Sequence, residues 1–278
     1  METVALSDGE HVPALGQGTW GMGESKSAHA EEVAALRLGI DLGMTLIDTA
    51  EIYGDGGSEM VVADAIEGQR DRVFVVTKVS PGNASRTGLP KACERSLKRL
   101  RIDAIDLYLL HWPSNTPLAE TVEAFEQLRS SGKIRRWGVS NFDVKDMKEL
   151  LAIRNGSACS ANQVLYHVGE RAIESDLLSW SQRNKIPIMA YSPVGRGRRL
   201  LNNATLKKIG ERHDSTPAQI AIAWVLRQSG IIAIPKASNK THVRDNAQSA
   251  DIQLTDQDFA DIDREFPPPQ TKQPLPML

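Results

Sequence analysis

Thr45-Leu46-Ile47-Asp48, Val73-Phe74-Val75-Val76-Thr77-Lys78 and Ile105-Asp106-Leu107-Tyr108-Leu109-Leu110-His111 are three short aliphatic runs, each ending in a polar side chain. A helical pattern at His29–Leu42 precedes the first, and another at Ser58–Glu67 separates the first from the second. Strand ends recurring about every 30 residues, with helices between them, are the βα unit of a parallel sheet. Near-continuous apolar runs mark strands buried on both faces.

The unit repeats in both directions. Toward the end of the chain it appears as Trp137-Gly138-Val139 into Ser140-Asn141, Cys159–Asn162 into Gln163, Ile186–Ala190 into Tyr191, and Ile231–Ile234 into Pro235-Lys236. Toward the start, Leu15–Gly18 runs into Thr19-Trp20. Further helices are expected at Thr121–Ser131, Glu174–Arg183 and Pro217–Gln228. Thr216 is placed to cap the last of these, with Pro217 in its first turn and Gln219 completing a capping box. Gly132 and Gly230 read as helix stops. Eight such units in 278 residues predict an α/β fold, a (β/α)8 TIM barrel. Asp8-Gly9 between two apolar runs adds an N-terminal β-hairpin, suited to closing the barrel bottom. No linker-like stretch divides residues 1–278, which read as a single barrel domain. Pro267–Leu278, with five prolines, is expected to run over the surface toward the barrel mouth.

Composition narrows the function. The 41 % hydrophobic content excludes a disordered chain, and a formal charge of −2 gives no field that favours nucleic acid or an anionic membrane. No apolar run approaches the ~18 residues of a membrane span, and no basic segment leads an apolar one at the start. Cys93 and Cys159 fit no metal or redox spacing, so a reduced, cytoplasmic setting is expected. No exposed apolar stripe calls for a partner, so a monomer is expected.

Gly16-Gln17-Gly18-Thr19-Trp20-Gly21 matches the dinucleotide fingerprint G-x-G-x-x-G. That fingerprint works only where a helix opens at the glycines and its N-terminus holds the pyrophosphate. Here the next helical pattern begins only near His29, so the match is a glycine-rich strand end and loop.

A barrel gathers its strand ends on one rim, where active sites form. Asp48, Lys78 and His111 end consecutive strands, and Tyr53 follows Asp48 in the next loop. A free tyrosine, with a pKa of about 10, is a poor acid near neutrality. A lysine ammonium beside it favours phenolate and lowers that pKa, an aspartate would hold the lysine charged, and a histidine can hydrogen-bond a substrate oxygen. Such a tyrosine could protonate the oxyanion that develops on a reduced carbonyl. No side chain supplies hydride, which implies a nicotinamide cofactor. Two other readings stay open: a Schiff-base lyase using Lys78, and a cofactor-binding sensor with little catalysis.

Asp48–Gly54, Thr77-Lys78, Leu110–Pro113, Gly138–Phe142, Tyr191–Pro193 and Ile234–Ser238, in this order, resemble the aldo-keto reductase superfamily. The resemblance implies an NADPH-dependent reductase of aldehydes and ketones, tolerant of NADH, acting on a small-molecule carbonyl such as methylglyoxal. It implies Tyr53 as proton donor, Lys78 and Asp48 tuning it, and His111 orienting the carbonyl. Ser140, Asn141 and Gln163 would hold the nicotinamide carboxamide, with Tyr191 stacked on the ring. Ser192, Pro193, Gly195 and Arg196 match the loop that passes the pyrophosphate, and Arg198 and Arg199 could add to a cationic flap. Gly18, Thr19 and Trp20 would border cofactor and substrate, and Trp112 the substrate. Lys236, Ser238, Asn239, Arg244 and Asn246 match the segment around the 2′-phosphate and adenine. His242 stands where the family often has an arginine, with Arg244 two residues on. A neutral imidazole gives up the arginine's charged fork, which is the reason to expect tolerance of NADH.

Overall fold

The computed structural model describes residues 1–196 and 198–278. Gly197 and the side chain of Arg198 lie outside the described residues, so the flap expected at Arg198 does too. Strands β1 (Thr3–Ala5) and β2 (His11–Pro13) form the expected antiparallel hairpin around Asp8-Gly9. The eight strands that follow are β3 (Gln17–Gly18), β4 (Leu46–Asp48), β5 (Phe74–Val79), β6 (Ile105–Leu110), β7 (Ile134–Ser140), β8 (Cys159–Leu165), β9 (Ile188–Tyr191) and β10 (Ile231–Ile234). They form one parallel sheet in sequence order. Isolated bridges from Leu15 to Ala233 and from Gly18 to Lys236 join the first strand to the last and close the barrel.

Helices α1 (His29–Asp41), α2 (Gly57–Ile66), α3 (Gly88–Leu100), α4 (Leu118–Ser130), α5 (Val144–Ala152), α6 (Leu177–Asn184), α7 (Arg198–Leu201), α8 (Ala204–Arg212), α9 (Pro217–Leu226), α10 (Lys240–Gln248) and α11 (Asp256–Glu265) follow the strands. The Thr216–Gln219 capping box at α9 is present, and Gly132 and Gly230 have positive φ where the chain turns out of a helix. Helix α4 begins three residues before the expected Thr121, and α6 begins only at Leu177 because Ala172–Ser175 makes a tighter 3-10 turn. The fingerprint glycines lead into a loop, and α1 starts at His29, as the failed match implied.

Two apolar clusters divide the core. The larger lies between strands and helices. The smaller fills the barrel, with Leu46, Val76, Leu109, Ala161, Met189 and Ile234 among its members. Hairpin residues Val4, Leu6 and Val12 seal it from below. Side chains alternate along a strand, so a residue two beyond an inward one also faces inward. Two positions beyond those six lie Asp48, Lys78, His111, Gln163, Tyr191 and Lys236. The period of two therefore lifts one polar layer onto the apolar plug.

Candidate active site

A cavity of about 560 Å³ opens over that layer. Its wall includes Gly18, Thr19, Trp20, Asp48, Tyr53, His111, Trp112, Ser140, Asn141, Gln163, Tyr191, Ser192, Pro193, Gly195, Arg196 and Lys236, all expected from the sequence. Gly18 is a glycine for a reason of space: a Cβ there would come within 2.7 Å of the Ile234 carbonyl oxygen across the barrel seam.

Lys78 is fully buried beneath the cavity. Its ammonium donates to Asp48 Oδ2 at 2.7 Å, to the Thr49 carbonyl at 2.8 Å and to the Tyr53 hydroxyl at 3.3 Å. Burial pushes the lysine toward neutrality, but Asp48 and Tyr53 outweigh it and hold its pKa above the ordinary value. Burial also raises the Asp48 carboxyl, while Lys78 and the Gln163 amide pull it back. Tyr53 corrects the sequence expectation. Lys78 does pull the phenol down, but burial is the larger effect and leaves it above its ordinary pKa. The hydroxyl is therefore fully protonated near neutrality.

His111 packs edge-on to Tyr53, with ring centroids 5.7 Å apart. Burial, helped by the Lys78 charge, pushes its pKa down to about 3, so the imidazole is neutral. Its Nδ1 is buried with no partner among the described residues. An orphaned buried N–H is the costlier state, so the proton belongs on Nε2, the nitrogen left to the cavity.

Tyr191 donates to Asn141 Oδ1 at 3.0 Å, and Asn141 Nδ2 donates to the His111 carbonyl at 3.0 Å. Asn141 has a φ of +62°, a left-handed turn that carries its amide back over the strand end. Ser140 donates to the Gln163 carbonyl, and Gln163 Nε2 donates to Asp48 Oδ1 at 2.7 Å. At the mouth the Arg196 guanidinium sits 4.3 Å above the Trp20 ring centre, and Trp112 tilts against His111. Lys236 is exposed and donates to Ser238 Oγ at 3.3 Å.

Ser238, Asn239, Arg244 and Asn246 are not in the cavity wall. Asn239 caps α10 by accepting from the His242 N–H, Arg244 is exposed on that helix, and Asn246 is buried in it. The wall also holds Ile52, Val194, Ile234, Met277 and Leu278, which the sequence reading did not single out. Met277 and Leu278 end the proline-rich segment, whose approach to the mouth was expected, while Ile52 and Ile234 lie inside the quoted motifs but, being apolar, carried no site chemistry of their own. Among the described residues no cluster of His, Cys, Asp or Glu could hold a metal, and no helix is long and apolar enough to cross a membrane.

The residues present suit a nicotinamide dinucleotide. The cavity wall offers amides, a hydroxyl and the tyrosine ring of Tyr191, together with the Arg196 and Lys236 cations. A sequence profile of the Aldo/keto reductase family matches residues 14–265. The chain is 49 % identical to methylglyoxal reductase YeaE of Escherichia coli strain K12, over 100 % of this chain and 99 % of that one. It is 34 % identical to glyoxal reductase of Bacillus subtilis strain 168, over 94 % and 92 % of the two chains. A crystal structure of an aldo/keto reductase from Klebsiella pneumoniae in complex with NADP and acetate superposes with a TM-score of 0.97, at 49 % identity over 99 % of both chains. The barrel, the Asp48–Lys78–Tyr53 cluster below the cavity and the similarity along the chain agree, and the chain belongs to the aldo/keto reductase family.

Proposed function

We propose that this chain reduces small aldehydes and 2-oxoaldehydes such as methylglyoxal with NADPH, and that Tyr53 donates the proton. The observation that carries the reading is the Tyr53 hydroxyl at 3.3 Å from a fully buried, charged Lys78 below a cavity with cofactor-type donors. The bound dinucleotide supplies hydride to the carbonyl carbon.

This chain's residues do the rest. Ser140, Asn141 and Gln163 hold the carboxamide, and Tyr191 offers its ring as a stacking face. Arg196 and Lys236 meet the phosphates. Neutral His111 donates from Nε2 to the carbonyl oxygen and orients it. As charge develops on that oxygen, Tyr53 transfers its proton, and the Lys78 ammonium stabilises the phenolate left behind. Asp48 keeps Lys78 charged throughout. A lyase reading of Lys78 needs a free amine lone pair, and this ammonium is buried, ion-paired and three times engaged.

The same reading takes residues 1–278 as one barrel unit, working as a monomer in the cytoplasm. In its support, among the described residues five of the eight exposed large hydrophobic side chains, Trp20, Ile52, Trp112, Met277 and Leu278, lie at the cavity, where substrate covers them. Both cysteines are free and buried, and burial lifts their thiols to about 12.

The test is Tyr53→Phe, measured by NADPH oxidation with methylglyoxal and by fluorescence titration with NADPH. Reduction falls by at least about 100-fold while cofactor affinity stays within a factor of two. Substantial turnover by the variant removes Tyr53 from its role.

A further inference from the structure

Two of the three acceptors that hold the Lys78 ammonium belong to one dipeptide, the Asp48 carboxylate and the Thr49 carbonyl. A run of buried hydroxyls holds that dipeptide at its central carbonyl and at the Thr49 side chain. Thr49 Oγ1 donates to Ser58 Oγ at 3.0 Å. Ser58 Oγ donates to Thr19 Oγ1 at 2.7 Å and lies 3.2 Å from the Thr19 carbonyl. Thr19 Oγ1 donates to the Asp48 carbonyl at 2.9 Å. All three side chains are fully buried. Each hydroxyl donates, and Ser58 and Thr19 also accept, so the run has one direction and returns to the dipeptide it left.

Ser58 reaches this place because the first turn of α2 lies against the loop at Gly23. A Cβ on Gly57 would come within 2.4 Å of the Gly23 carbonyl oxygen, so only a glycine allows the approach. Without the Ser58 hydroxyl, the Thr49 donor and the Thr19 acceptor would be left buried and unpaired. Neither Ser58 nor Thr49 belongs to the cavity wall.

We propose that Ser58 is a positioning residue for the proton donor: through Thr49 and Thr19 it fixes the Asp48-Thr49 main chain that carries two of the oxygens holding Lys78, and through Lys78 the Tyr53 hydroxyl. The proposal rests on Tyr53 being the acid. Small displacements of a proton-transfer pair cost rate without touching ground-state binding.

The experiment compares Ser58→Ala, Thr49→Val and Thr49→Ser with Tyr53→Phe. Readouts are kcat and KM for methylglyoxal, the solvent deuterium isotope effect on kcat, and NADPH affinity by fluorescence. Ser58→Ala and Thr49→Val lower kcat by about 10-fold with KM and NADPH affinity unchanged, and the solvent isotope effect rises as proton transfer becomes limiting. Thr49→Ser keeps the hydroxyl and keeps the wild-type values. If Ser58→Ala does not fold, the Thr49 pair decides alone, because valine matches threonine in shape and lacks only the hydrogen bond. A wild-type kcat and isotope effect in Ser58→Ala or Thr49→Val, beside an inactive Tyr53→Phe, overturns the relay alone. Equal losses in Thr49→Val and Thr49→Ser also overturn it. Retained activity in Tyr53→Phe overturns the acid assignment and the relay with it.

Discussion

Gln163 holds the Asp48 oxygen that Lys78 leaves free: its Nε2 donates to Oδ1 at 2.7 Å, while the ammonium takes Oδ2 at the same distance. The carboxylate is thus fixed from two strands, β8 and β5. Gln163 also faces the cavity and can serve the cofactor with its amide oxygen.

Gln163→Glu sets a second carboxylate against Asp48 Oδ1. Like charges at that distance force one group to take up a proton, and the Asp48 hold on Lys78 weakens. We expect kcat to fall by about 10- to 100-fold and NADPH affinity to drop as well, in contrast to Tyr53→Phe. Wild-type NADPH binding by Gln163→Glu, read by fluorescence, argues against a nicotinamide contact.

Lys78→Met removes one partner of a buried ion pair and leaves the Asp48 carboxylate desolvated. Breaking such a pair costs about 3–5 kcal/mol, more than its formation contributes. Thermal unfolding should therefore show a clear loss of stability, alongside a loss of reduction of at least about 100-fold. Asp48→Asn/Lys78→Met, with no buried charge left, should recover part of the stability and none of the activity. If the double variant is no more stable than Lys78→Met, the buried carboxylate is not the source of the loss.

His111 and His167 set a pH dependence of stability. Burial holds His111 neutral down to about pH 3 and His167 down to about pH 4. In the unfolded chain both take a proton below about pH 6.5. The unfolded state then binds more protons, so stability falls as pH drops from about 6.5 toward 4, and neither histidine contributes above that window. The combined loss at pH 4 is on the order of a few kcal/mol. Asp258, held low by its bonds to Thr255, His213 and Arg212 against the effect of burial, adds a further loss only below its unfolded pKa of about 4. His111→Gln/His167→Gln should flatten the dependence of Tm on pH between 6.5 and 4. An unchanged slope assigns it elsewhere.

Much of the site was legible because barrel geometry converts a strand-end position into a rim position. Asp48, Lys78, His111, Gln163 and Tyr191 could be read from their places at strand ends, and all but Gln163 also sit in the motifs that carry the resemblance. Three things were not legible. The net direction of the Tyr53 pKa depends on how deeply the ring is buried, and a spacing pattern does not report depth. Ser58 and Thr49 look like ordinary helix-start and strand-end residues until the Gly23–Gly57 approach brings them together. The third is the place of Ser238, Asn239, Arg244 and Asn246 relative to the cavity: Ser238 and the cap residue Asn239 precede α10, Arg244 and Asn246 lie on it, and none of the four is in the wall.

Lys236 alone of that segment lines the cavity, and its ammonium is exposed beside Ser238. Lys236→Met should raise the KM for NADPH by about 10-fold and leave that for NADH nearly unchanged, since only NADPH carries the extra phosphate. His242→Arg should lower the KM for NADPH by adding the charged fork. Comparing kcat/KM for the two cofactors decides both. A strong NADH preference in the wild-type protein would falsify the assignment of Lys236.

The proline-rich segment yields the last prediction. Lys272 pairs with Asp176 at 3.1 Å and, more loosely, with Asp143 at 3.9 Å. Leu275 packs on the main core, and Met277 and Leu278 reach the cavity wall. The backbone of Leu278 acts on the Tyr191 hydroxyl, lowering its pKa somewhat against the larger upward push of burial, which takes it to about 12. Prolines stiffen the chain between these attachments. The two apolar side chains therefore narrow the mouth only while the segment stays attached. Lys272→Asp replaces attraction by repulsion at the outer attachment. Exposed pairs are weak, so the effect is a few-fold change. It should fall on KM for bulky aromatic aldehydes, with methylglyoxal, small enough to pass either way, unaffected. Asp176→Lys combined with Lys272→Asp restores the charge pairing and should return KM toward wild type, and high salt should reduce the difference between the single variant and the wild type. A failure of the charge swap to restore KM would show that Leu275 packing alone holds the segment.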